Sequence, residues 1–335
     1  MTRPRLIVCV GRFQPPDRRH LACIEAALAA ADEVLVVVGG ADRPRAVPDP
    51  WAADERAAML RACFPKAGAK LAIETVRDVV YDDERWAEVL RARLAQTGAT
   101  DIGVMPCGRR GADVYAALFP EWRVVAPPDG DTANEGLALA IFEAGGLSPA
   151  LRARVPAGLH EIIACDLATA PFQELAAEWA HIVEYRQTWS AAPFPPIFVT
   201  VDTLVTHGDA VLLIRRGRRP GLGLGALPGG FIDRGEYLFD AALRELLEET
   251  GIALPREVIA AACVANRVFD APYRSLRGRT ITHAFHFDLP PALERPSVTG
   301  GDDAADAHWV ALRDIDSREL FEDHHAILQV VLGID

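Results

Sequence analysis

The chain has 335 residues, half of them hydrophobic, and that length favours two domains over one. Its formal net charge of −12 argues against a nucleic-acid backbone as main partner, and no apolar run approaches the about 18 residues of a membrane span. The six cysteines form no Cys-x-x-Cys pair and the N-terminus lacks a signal-peptide pattern, so the expected setting is a reduced cytoplasm without structural zinc or disulfides.

Taken in chain order, residues 6–10 and 34–38 are short β-branched runs of the kind that strands buried on both faces produce. Between them Leu21, Ile24 and Leu28 recur at helical spacing. The pattern then predicts a strand at 71–75, a helix at 85–94, and strands at 102–105 and 122–126. This βαβ rhythm implies an open parallel sheet with helices on both faces. Residues 155–189 read as mostly helical. Pro193, Pro195 and Pro196 then stop the helix and leave an extended connector. The expected division is a first domain at 1–189, a proline-rich linker at 190–197 and a second domain at 198–335. In the second, strands are predicted at 198–205, 211–214, 258–268 and 280–287, and a last helix at 323–332.

The segment 230–252 carries the chemistry. Gly230 is followed after five residues by Glu236, and after seven more by Arg244-Glu245-Leu246-Leu247-Glu248-Glu249-Thr250-Gly251. On a helix Glu245 and Glu249 lie one turn apart on one face, with Glu248 beside them. Residues 236–252 contain no lysine to balance them. Carboxylates clustered in this way suit a hard cation, Mg²⁺ or Mn²⁺, shared with a substrate phosphate. The pattern resembles the Nudix box. The resemblance implies an α/β/α sandwich with a mixed sheet and metal-dependent hydrolysis of a nucleoside diphosphate linked to another moiety. Carried over by position, it makes Glu245, Glu248 and Glu249 metal ligands. It gives Arg244 the orienting of a carboxylate and Glu236 the support of the loop. The box does not identify the general base, for which family members often use a carboxylate outside it; Asp302, Asp303 and Glu322 are candidates for such an outer carboxylate, or equally for turn or helix caps.

Further along, Phe269-Asp270-Ala271-Pro272, the basic run Arg274 to Arg279, Gly300-Gly301-Asp302-Asp303-Ala304 and Phe321-Glu322-Asp323-His324 resemble the Nudix half of bifunctional adenylyltransferase/ADP-ribose pyrophosphatases. That resemblance implies cleavage of ADP-ribose to AMP and ribose 5-phosphate, with Arg277, Arg279 and Gly230 at the substrate.

The N-terminal half has its own motif. Residues 6–10 run into Gly11-Arg12-Phe13-Gln14-Pro15-Pro16-Asp17-Arg18-Arg19-His20, a strand–loop–helix start suited to phosphate. It resembles the GRFQPxHxGH motif of nicotinamide mononucleotide adenylyltransferases, which are Rossmann-like nucleotidyltransferases. The resemblance implies an ATP, NMN or NAD site at Gly11, Arg12, Phe13, Gln14 and His20. The chain departs from the motif where Asp17 replaces the first histidine and Arg19 the glycine. A carboxylate there repels a transferring phosphate rather than stabilising it. A late triphosphate-binding element is altered too, at Asn134 and Leu137, and a lysine-containing stretch reads Gly108-Arg109-Arg110. The expectation is therefore a working Nudix hydrolase joined to an inactive adenylyltransferase-like domain. One rival keeps both activities; another is a non-enzymatic ADP-ribose or NAD sensor, against which the filled box weighs. Oligomeric state is not legible.

Overall fold

The computed structural model describes residues 4–108, 110–128 and 136–334. The chain folds as two compact units, Met1–Ala177 and Glu178–Asp335.

In the first unit β1 (Leu6–Gly11) and β2 (Glu33–Val38) are almost wholly buried, which is why they carry little but Val, Ile and Leu. With β3 (Leu71–Thr75), β4 (Ile102–Pro106) and β5 (Arg123–Val124) they form a parallel sheet in the order β3-β2-β1-β4-β5. Alternate residues serve opposite cores. Ile7, Cys9, Val36 and Val38 pack with Ile24 and Leu60, whereas Val8, Val10, Leu35 and Val37 pack with Trp86 and Leu90. The helices between the strands are α1 (Arg18–Ala30), α2 (Ala53–Cys63), α3 (Asp83–Ala95) and α4 (Ala112–Leu118). Strand order reverses at β1, so the crevice beyond the ends of β1 and β4 is the topological switch point where open α/β sheets bind ligands. After it come α5 (Leu137–Glu143), α6 (Pro149–Arg154), α7 (His160–Leu167) and α8 (Ala170–Gln187).

Three sequence expectations need correcting. The buried face of α1 is His20, Cys23, Ile24 and Ala27, one step round from the stripe read off the leucines. The strand expected at 122–126 shrinks to Arg123–Val124, an edge strand that soon meets Pro127 and Pro128, which have no N–H for a ladder. Residues 258–268 are not one strand. Pro255 precedes a helical turn, α10 (Arg256–Ala261), and the strand β10 (Cys263–Phe269) begins after it. The altered element at 131–135 and Arg109 lie outside the described residues.

The second unit is built on a mixed sheet ordered β10-β11-β6-β7-β12, from β6 (Ile197–His207), β7 (Ala210–Arg216), β11 (Arg279–Leu289) and β12 (Ala304–Ala311). Two short strands attach to it, β8 (Gly225–Ala226) to β7 and β9 (Gly229–Phe231) to β6. Helix α9 (Leu238–Thr250) lays Ala241, Ala242, Leu243 and Leu246 on Val201, Val205, Phe285 and Phe287. Gly251 ends α9 in the left-handed conformation, φ 49°, as a helix C-cap commonly requires. Helix α11 (His324–Leu332) closes the chain. Among the described residues no helix is long and apolar enough to cross a membrane.

Candidate functional site

Strand β9, the loop after it and α9 bring the box together. The period of α9 puts Glu245 and Glu249 on its buried side and leaves Glu248 exposed. Arg244 is the hub. Its Nε and Nη2 donate to the two oxygens of Glu236 at 2.9 and 3.0 Å, a forked pair. Its Nη1 donates to Glu245 Oε1 at 2.9 Å and to Glu248 Oε2 at 3.0 Å, and its Nη2 also reaches the Phe231 carbonyl at 3.2 Å. Glu236 in turn accepts the Asp233 N–H at 3.0 Å, which folds the loop onto the helix.

The glycines exist for close approach. A Cβ on Gly230 would stand 2.6–2.7 Å from the Glu245 carboxylate, so a side chain there displaces it. Next to it the Gly229 N–H donates to Glu249 Oε2 at 2.8 Å. Burial drives the Glu249 carboxyl up to about 8; the Gly229 N–H opposes the shift and the neighbouring Glu245 adds to it. Burial also raises Glu245, against the pull of Arg244. Both buried carboxyls favour the protonated form on their own, and a bound cation would take the place of the proton.

Among the described residues no three acidic, histidine or cysteine side chains converge as a finished metal cage. The arrangement fits a cation that takes one or two protein carboxylates and completes its shell with water and phosphate, as Mg²⁺ does. Glu245 and Glu249 would hold it, with Glu248 at the exposed rim.

The outer carboxylates differ from one another. Asp303 pairs with Arg218 at 2.6 Å. Asp302 is exposed, with φ 46°. Glu322 also has φ 46°, uncommon for a residue with a side chain; its side chain is 14% exposed, with its carboxylate 3.8 Å from Arg277. Burial raises its pKa, against Arg277 and Arg274. The Arg279 guanidinium is tied to the carbonyls of Asp270 and Ala271, so it braces its own loop.

Two contacts were not legible in the sequence, although Arg274 and Asp323 both lie in runs it singled out. Arg274 forms a forked pair with Asp323 at 2.8 and 2.9 Å, both buried, and lies 3.8 Å from Asp202. Asp202 accepts from Thr282 at 2.6 Å, and His324 Nδ1 accepts the Leu227 N–H at 2.9 Å, linking α11 to the approach to β9. Arg216, at the end of β7, stacks on Phe321.

In the first unit the motif residues gather at the end of β1. A Cβ on Gly11 would meet the Cys107 carbonyl at 2.7 Å, and Phe13 is buried at φ 56°. Arg12 donates to Asp49 at 2.7 Å and to Asp78 at 2.5 Å, and Gln14 exchanges hydrogen bonds with the Trp51 backbone. Burial would raise the Asp49 carboxyl, but Arg12 and Arg43 hold it down at about 2. Buried Arg56 donates to the carbonyls of Arg12, Gly39 and Gly40. Asp17 caps α1: Oδ1 accepts the His20 N–H at 2.9 Å while His20 Nδ1 accepts the Asp17 N–H at 3.1 Å. Arg18 and Arg19 are exposed.

Residues 196–330 match the NUDIX domain family and residues 8–123 the cytidylyltransferase-like family. The chain is 31% identical to a bifunctional NMN adenylyltransferase/ADP ribose pyrophosphatase from Francisella tularensis, solved in complex with AMP and a Mn ion. That match covers 98% of this chain and 99% of the other, with a TM-score of 0.90. A nicotinamide/nicotinic acid mononucleotide adenylyltransferase of Acinetobacter baylyi is 31% identical over 36% of this chain and 64% of its own length. An ADP-ribose pyrophosphatase of Methanocaldococcus jannaschii is 33% identical over 39% of this chain and 70% of its own. The chain thus spans less than two thirds of the first of these curated relatives.

Proposed function

The chain belongs to the family of bifunctional NMN adenylyltransferase/ADP-ribose pyrophosphatases, and from that premise we propose that its second unit hydrolyses ADP-ribose to AMP and ribose 5-phosphate in NAD metabolism. The observation that carries this reading is the pair of buried, raised-pKa carboxyls, Glu245 and Glu249, held at a glycine strand by Arg244 and Gly229. A bound Mg²⁺ or Mn²⁺ would supply Lewis-acid polarisation of the phosphate and acidify a water. The chain does the rest. Glu245 and Glu249 would hold the cation, while Arg244 and Glu236 fix the loop on the helix. A water oxygen bonds to one phosphorus, the bridging P–O bond breaks, and the water proton passes to a base. Glu322, shielded and with its pKa raised by burial, fits that base better than exposed Asp302 or Asp303, which is already paired.

The first unit reads as a nucleotide-binding domain without adenylyl transfer. Asp17 places a carboxylate at the start of α1 where the motif has an imidazole, and Arg19 stands in place of its glycine. The bifunctional alternative has the full-length likeness to the Francisella protein in its favour. One preparation tests both readings. With ADP-ribose and Mg²⁺, AMP should appear and EDTA should abolish it; with NMN, ATP and Mg²⁺, no NAD should form. NAD at an enzyme-like rate overturns the second reading, and intact ADP-ribose overturns the first.

A further inference from the structure

Arg216, the last residue of β7, and Arg277, in the loop between β10 and β11, meet around the buried ring of Phe321. The guanidinium carbon of Arg216 lies 4.1 Å from the ring centroid and that of Arg277 6.0 Å; Arg277 is also 5.4 Å from the ring of Phe231, the end of β9. Both cations are fixed through Nε alone. Arg216 Nε donates to the Pro220 carbonyl at 2.8 Å, and Arg277 Nε to Ser275 Oγ at 3.2 Å. Among the described residues their terminal amino groups make no hydrogen bond. Arg277 Nη2 only approaches Glu322, at 3.8 Å. The other arginines of this unit's polar centre are occupied: Arg244 by three carboxylates, Arg274 by Asp323, Arg279 by loop carbonyls.

Two guanidiniums against one apolar surface repel each other. Burial and the neighbouring Arg277 charge together push the Arg216 pKa down, while Glu322, Glu249 and Asp303 oppose the shift. Asp303 is already engaged by Arg218 at 2.6 Å, and Glu249 belongs to the box. What is left is a pair of open, planar forks beside the metal-binding carboxylates. Guanidinium forks match phosphate oxygens in pairs.

We propose that Arg216 and Arg277 form a two-arginine clamp, seated on Phe321, that binds the diphosphate of the substrate on the side away from the box carboxylates. The assignment rests on the hydrolase reading given above. It adds Arg216, a residue outside every motif, and gives Phe321 the role of positioning both cations. A diphosphate offers one phosphate to each fork and leaves oxygens for the cation, so clamp and metal bind it jointly.

The test is steady-state hydrolysis of ADP-ribose with Mg²⁺ by the full chain and by Arg216→Ala, Arg277→Ala and Arg216→Lys, alongside their unfolding temperatures. Each alanine variant should raise KM about 10- to 100-fold, the worth of one or two charge-assisted hydrogen bonds, with a much smaller change in kcat. Arg216→Lys should recover part of the loss, because it restores charge without the fork. Folded alanine variants with unchanged KM overturn the clamp while leaving the hydrolase intact, and so does a fall in unfolding temperature with no change in KM. If Arg216→Ala does not fold, Arg277→Ala and Arg216→Lys carry the test. If the wild-type chain leaves ADP-ribose uncut, the functional reading has failed separately, and calorimetric titration with ADP and Mg²⁺ decides the clamp. Weaker binding by Arg277→Ala then supports it, and equal binding rejects it.

Discussion

The two candidate sites begin alike, with a strand glycine (Gly11 on β1, Gly230 on β9) and an arginine set among carboxylates, yet their charge balance is opposite. At the end of β1, Arg12 and Arg43 face Asp49 and Asp78, and the Asp49 carboxyl is held at about 2. At the box, Arg244 serves Glu236, Glu245 and Glu248, while Glu249 is left with one backbone N–H and rises to about 8. The first site is neutralised from within. The second keeps buried acid that takes up a proton unless a cation replaces it. Buried acid without a charged partner of its own is therefore a better pointer to a candidate metal site than the number of charged residues.

The comparison is broken most severely if the buried acid proves idle. Glu249→Gln and Glu245→Gln should each lower ADP-ribose hydrolysis by more than the about 10- to 100-fold typical of outer-shell partners, with the exposed Glu248→Gln milder; a near-normal rate would sink the metal assignment. Next in size is the buried pair behind the site. Arg274→Ala leaves Asp323 and Asp202 without their cation and should cost about 3–5 kcal/mol in denaturant unfolding. Arg244→Lys and Glu236→Gln, which loosen the loop without removing a ligand, should fall in the about 10- to 100-fold range for hydrolysis, with recovery at high Mg²⁺.

The pH response should separate the two sites by sign. Glu249 has a folded value of about 8 against an ordinary 4.5, so its contribution to stability is fully present below 4.5 and is lost as pH rises through about 8. Melting of the metal-free protein should show that loss, Mg²⁺ should reduce it, and Glu249→Gln should flatten it. Asp49 runs the other way, from an ordinary 3.8 to about 2 when folded. Its contribution holds above 3.8 and is lost as pH falls through about 2, and Asp49→Asn should remove that acid limb. The smallest effect is at α1, where Asp17→Ala removes an N-cap and should cost about 1 kcal/mol in unfolding free energy, with no change in ADP-ribose hydrolysis.

How much of this was legible follows from how far apart the partners lie. The box could be read because its geometry is local: a helical period of 3.6 fixes Glu245, Glu248 and Glu249 relative to Arg244 before any tertiary contact forms. The parallel sheet was equally legible, since strands buried on both faces must be apolar throughout. The turn of α10 was missed because a short apolar run fits either period, and only the packing of Ile259 under α9 decides it. The role of Asp17 was also decided by folding: its charge was visible, but not that its carboxylate would close on the His20 N–H as a cap. Arg274 and Asp323 lie in runs that the sequence marks, but they are 49 residues apart and nothing in either run shows that they pair. Arg216 lies on a strand end that reads as ordinary exposed charge until Phe321 is brought beneath it. By itself the sequence determined which groups carry charge along each element. Only the tertiary structure decided which charges are buried, paired or left open, because desolvation and long-range pairing exist only once the chain has closed on itself.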